Sequence, residues 1–90
     1  MKTSTRTAIV TGGASGIGKA IVARLAHDGI AVAVADKDEK QAAEVASNIQ
    51  NGRQIISVGV DVSDRNSVEN MIESSHERLG ALDILICNAG

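Results

Sequence analysis

Four short apolar runs divide the chain. Each is followed by a polar or glycine-containing turn, and the first three turns lead into stretches whose apolar positions recur every three or four residues. The first run, Thr7 to Val10, predicts a strand. From about Gly16 the residues Ile17, Ile21 and Leu25 fall at i+4 spacing with Ala20 beside them, which predicts a helix. Gly29 is placed to end it, with His27 in the last turn. Ile30 to Ala35 is continuously apolar and closes on Asp36, the pattern of a strand covered on both faces. Asp38-Glu39-Lys40-Gln41 has the character of a capped helix start; Ala42, Val45, Ala46 and Ile49 mark one helix face, and Asn51-Gly52 ends it. Gln54 to Val60 predicts a third strand closing on Asp61. Ser63 is placed to cap a third helix with Val68, Met71, Ile72 and Leu79 as its stripe. Gly80 stops that helix, and Leu82 to Cys87 reads as a fourth strand.

Strands alternating with helices imply parallel pairing through right-handed crossovers. The expected fold is therefore α/β, a Rossmann-type doubly wound parallel sheet, partial, with strand order 3-2-1-4. Ninety residues make one such domain, 1–90, and not two. With no Phe, Tyr, Trp or Pro, the core has to come from Val, Ile, Leu, Ala and two Met, which suits closely packed parallel strands. In this order strand four needs a further neighbour, and Ile84 to Ile86 would be an exposed apolar edge. The expectation is that these residues are the N-terminal part of something longer.

Charge and cysteine usage narrow the function classes. A net charge of −2 provides no basic footprint for nucleic acid or an anionic membrane, and the lack of aromatics removes base stacking. The apolar runs are too short to span a bilayer, and no signal-peptide core follows Lys2 and Arg6. A single cysteine, Cys87, excludes an internal disulfide and fits a reducing, cytoplasmic setting, where it is expected as a small core residue. His27 and His76 sit near helix ends without metal-ligand spacing, so no metal site is expected.

Chemistry concentrates between Val10 and Ala20. A strand, a glycine-rich turn and a helix start predict an anion site, with the amides near Ser15 to Ile17 and the helix dipole directed at phosphates. Gly13, Gly18 and Lys19 satisfy part of a P-loop, but that motif next needs a hydroxyl for Mg²⁺ and this chain has Ala20. Lys19 is expected to be solvated. Asp36, 18 positions after Gly18, is placed to accept hydrogen bonds from an adenosine ribose and to repel a 2′-phosphate, favouring NAD over NADP. Lys37 beside it offers a cation that softens that preference; the plain alternative is that Asp36 begins a turn.

Read from Thr11, the string is T-G-x-x-x-G-I-G with glycines at 12, 16 and 18. It resembles the cofactor turn of the short-chain dehydrogenase/reductase family, and the resemblance runs from Thr7 to Gly90. It implies cofactor contacts from Gly12, Ser15, Gly16, Ile17, Gly18, Asp36 and Lys37. It adds Asp61 and Val62 for the adenine; locally, Asp61 is equally an acid near a helix N-terminus. Asn88, Ala89 and Gly90 match the family's N-A-G, a tripeptide that alone is only a turn. The resemblance further implies NAD-dependent hydride transfer to or from a small-molecule alcohol or ketone. It also implies a homo-oligomer when full length, while the charge and composition above argue against a nucleic acid or membrane partner. In the family a Tyr paired with a Lys moves the proton and a Ser positions the oxygen. This chain has no Tyr, so no catalytic residue is expected in it. The alternative is a non-catalytic dinucleotide-binding module.

Overall fold

The computed structural model describes residues 6–49 and 54–88. Its elements are β1 (Thr7–Thr11), α1 (Gly16–His27), β2 (Ala31–Asp36), α2 (Glu39–Asn48), β3 (Ile55–Gly59), α3 (Arg65–Leu79) and β4 (Ile84–Cys87). The four strands form one parallel sheet in the order β3-β2-β1-β4, the expected Rossmann-like arrangement. The Asn51-Gly52 helix stop and the Ala89 and Gly90 assignments lie outside the described residues. Among the described residues no helix is long and apolar enough to cross a membrane.

Period-2 alternation along buried strands splits the core into two layers. Ala8, Val10, Val32 and Val34 face α1 and α2, meeting Val22, Ala42 and Val45. Ile9, Ala33, Ala35, Ile56 and Val58 face the other way and pack with Met71 of α3. At its lower end β1 is tied to the turn before β4. Thr7 N donates to Asp83 Oδ2 at 3.0 Å, Thr7 Oγ1 to Ala81 O at 2.6 Å, and Asp83 N to Thr7 O at 3.1 Å. β4 begins at Ile84 and not at Leu82, directly after this tie. The other strands differ from expectation by a residue at one or both ends.

Three side-chain expectations change. The buried line of α1 is Gly18, Val22 and Ala26, with Ile21 and Leu25 flanking it, while Ile17 is 73% exposed. The helix lies so close to the sheet that its smallest residues face inward and the larger ones are displaced sideways. On α3 the fully buried positions are Met71 and Ser75; Val68, Ile72 and Leu79 are half-buried around them. Cys87 is exposed, not a core residue. Ile84 and Ile86 turn toward the α1/α2 layer, so alternation sends Leu85 (46% exposed) and Cys87 to the opposite face.

The helix starts also differ from one another. Asp38 caps α2, its Oδ1 accepting from Gln41 N at 3.0 Å. Asp64, not Ser63, caps α3, its Oδ1 accepting from Asn66 N at 2.9 Å; the Ser63 hydroxyl is engaged elsewhere. Ser15 precedes α1 without making a side-chain cap, and the first turn of that helix carries no acid.

Candidate functional site

The loops leaving the carboxyl ends of β1, β2, β3 and β4 surround a cleft of about 460 Å³. It is lined by Gly12, Ser15, Asp36, Lys37, Val60, Asp61, Val62, Ser63 and Asn88. In an open parallel sheet this is the ligand-binding end, where neighbouring connections depart to opposite faces.

The glycine-rich turn is shaped by two requirements. Gly12 and Gly16 have φ of +67° and +59°, left-handed values that residues with a Cβ rarely adopt. Gly18 serves close approach: an added Cβ would collide with the Gly12 carbonyl and stand 2.7 Å from Asn88 Nδ2. The turn is then fastened to the neighbouring strand ends. Gly13 N donates to Ala35 O at 3.1 Å and Ala14 N to Asp36 Oδ2 at 3.1 Å. From β4, Asn88 N donates to Thr11 Oγ1 at 3.0 Å, and Asn88 Nδ2 reaches Gly12 O at 3.4 Å. Thr11 Oγ1 in turn donates to Ile86 O at 3.3 Å. Helix α1 therefore begins beside the cleft, which Ser15 lines, and its start has no side-chain cap, an arrangement suited to an anion.

Asp36 closes the second side. Its two carboxylate oxygens accept from the backbone, Oδ2 from Ala14 N and Oδ1 from Asp38 N at 3.0 Å. The same carboxylate thus anchors the turn and borders the cleft; each oxygen keeps a second lone pair for another donor. Lys37 is exposed at the rim.

Asp61 forms the third side. Ser63 donates to its Oδ1 twice, from the hydroxyl at 2.6 Å and from the amide at 3.0 Å. These bonds favour the ionised form. They hold the Asp61 carboxyl below the usual carboxylate range, against a small opposing contribution from burial and with a lesser contribution from the nearby Lys37 charge.

Of the residues picked from sequence, Gly12, Ser15, Asp36, Lys37, Asp61, Val62 and Asn88 line this one cleft. Gly16 and Gly18 shape its turn from behind, and Ile17 stands exposed at the start of α1. Sequence reasoning did not select Val60, Ser63 or Ala14. Ser63 was legible in principle, because a serine two residues after an aspartate can close a local turn onto its carboxylate.

The profile of the short chain dehydrogenase family matches residues 6–90. The L-2,3-butanediol dehydrogenase of Corynebacterium glutamicum is 44% identical over 88 residues, covering 94% of this chain and 34% of that enzyme. Among solved structures, an alcohol dehydrogenase from the archaeon Thermococcus sibiricus, complexed with 5-hydroxy-NADP, superposes with a TM-score of 0.89. It is 33% identical, covering 94% of this chain and 37% of that one. A 3-ketoacyl-(acyl-carrier-protein) reductase from Brucella melitensis, complexed with NADH, gives a TM-score of 0.82 at 31% identity, covering 89% of this chain and 32% of that one. The chain thus spans about a third of the length of the relatives it matches.

Proposed function

Because the chain belongs to the short chain dehydrogenase family, we propose that its cleft binds NAD. In this reading it serves as the dinucleotide-holding part of an oxidoreductase acting on a small alcohol or ketone. When bound, NAD supplies the carbon that takes up or gives back hydride. The residues of this chain do the holding. The amides at the start of α1 receive the pyrophosphate, a task favoured by the absence of a side-chain cap and by the helix dipole. Gly18 keeps the helix near enough to β1 for the diphosphate to lie against backbone. Asp36 accepts from the ribose hydroxyls through its remaining lone pairs, and Asp61 with Val62 receives the adenine. Asn88 fixes the position of the turn relative to β4 through the Gly12 carbonyl.

The observation that carries the reading is the convergence on one cleft of an uncapped helix start and a carboxylate at the end of β2. Preference for NAD over NADP follows from Asp36, because a fixed carboxylate repels a 2′-phosphate; Lys37 moderates the effect. The relative's name, L-2,3-butanediol dehydrogenase, supports a small hydroxylated substrate. The chain contains no Tyr, so the proton-transfer step is assigned to no residue of these 90.

Titration calorimetry of the chain with NAD and NADP tests this. NAD is expected to bind the more tightly. Asp36→Ala should weaken NAD by about tenfold, roughly 1.4 kcal/mol, and narrow its advantage over NADP. Unchanged selectivity in that variant would defeat the ribose assignment. NAD-linked alcohol oxidation by these 90 residues alone would contradict the division of labour.

A further inference from the structure

The Asp61 carboxylate does not rotate freely. Ser63 donates to it from hydroxyl and amide, both onto Oδ1, at 2.6 and 3.0 Å. The backbone beneath is pinned separately, Asp61 N donating to Ser67 Oγ at 2.9 Å. Among the described residues no hydrogen bond falls on Oδ2, and Asp61, Val62 and Ser63 all line the cleft. Resting on the nucleotide reading above, we propose that Ser63 is a positioning residue that sets base specificity. Its hydroxyl fixes the Asp61 side chain so that Oδ2 meets the exocyclic amine of an adenine lying beside Val62.

An ionised carboxylate only accepts hydrogen bonds. Held in one rotamer at the edge of the base, it rewards an amine and repels an oxo group. Adenine carries the amine at that position, and hypoxanthine carries the oxygen. Without the hydroxyl, the side chain is free to sample other staggered χ1 wells, and the reward is diluted by that freedom. The Ser63 amide still donates to Oδ1, so the change is a loosening and not a collapse. Ser63 is exposed, which makes its truncation mild for folding.

AMP and IMP are titrated into the whole chain as wild type, Ser63→Ala and Ser63→Thr. Ser63→Ala should weaken AMP about three- to tenfold with little change for IMP, compressing the AMP/IMP ratio; Ser63→Thr should restore it. The Asp61 carboxyl, followed by carbon NMR, should titrate at higher pH in Ser63→Ala than in wild type. An AMP/IMP ratio unaltered in Ser63→Ala, or not restored by threonine, overturns the role of Ser63 and leaves nucleotide binding standing. A wild-type chain that binds neither AMP nor NAD overturns the nucleotide reading itself, and this role with it.

Discussion

Replacing Gly18 with alanine puts a methyl group where the structure has no space for one. The new Cβ would collide with the Gly12 carbonyl oxygen and lie 2.7 Å from both Gly12 C and Asn88 Nδ2. The Asn88 amide can swing aside. The Gly12 carbonyl cannot easily do so, because the next residue is tied to Ala35 O and Gly12 itself sits at φ +67°. Ordinary carbon contacts need roughly 3.5 Å or more, so helix and turn must separate by something like an ångström. Overpacking of this kind costs about 1–3 kcal/mol, and a backbone collision belongs at the upper end. Alanine recovers about 1 kcal/mol of helix propensity, which leaves a net destabilisation of about 2 kcal/mol. The same separation carries the α1 amides away from the phosphate position, with an expected loss of about tenfold in NAD affinity. With no Trp or Tyr to fluoresce, unfolding is followed in urea by far-ultraviolet circular dichroism, alongside NAD titration. Gly13→Ala is the graded control. Its Cβ would stand 3.0 Å from Val10 O and 3.1 and 3.2 Å from the Val34 and Val22 methyl groups, for a smaller loss of about 1 kcal/mol. A Gly18→Ala chain as stable as wild type, with undiminished NAD binding, would refute the close-approach argument.

Further outcomes follow from other parts of the molecule. Ser75 is fully buried on α3 and its hydroxyl has no partner among the described residues, so Ser75→Ala should raise stability by about 1 kcal/mol, read from the urea midpoint. A loss of similar size would mean that the hydroxyl is bonded after all. The Asp61 carboxyl is held below its ordinary range, so its contribution is complete above the unfolded-state value of about 3.9 and fades only as pH falls through the lower, folded one. The Asp61 carboxyl, followed by carbon NMR, should therefore stay ionised as pH falls through the normal carboxylate range, and its ionised fraction should drop only below it. In Lys37→Met the drop should begin at slightly higher pH, because the nearby positive charge is gone.

The alternation of apolar runs and helical spacing made the sheet order legible, since each crossover has one allowed hand and the two central strands, β1 and β2, are buried on both faces. Glycine spacing and the acid at the end of the second run likewise made most of the cleft lining legible. Other features were not legible. Periodicity weighs residues by hydrophobicity, so it put Ile17 on the buried face of α1. Packing distance decided otherwise and turned Gly18 inward. Ser63 and Asp64 are both good cap formers, and only the fold reveals that the Ser63 hydroxyl is already engaged with Asp61, leaving the cap to Asp64. Cys87 was misplaced because strand alternation decides which face a residue takes but not whether a helix covers that face.

The bond from Ala14 N to Asp36 bears on any attempt to retune the dinucleotide preference. Redesign in favour of a phosphorylated ribose ordinarily begins by deleting the acid that repels it. Here that deletion also removes one of the two bonds that fasten the bend to the adjacent strand, leaving Gly13 N on Ala35 O. A gain in tolerance therefore arrives with a loosened grip on every dinucleotide alike. A replacement that still offers Ala14 an oxygen, such as asparagine, separates the two effects and is the sounder first step for an engineer.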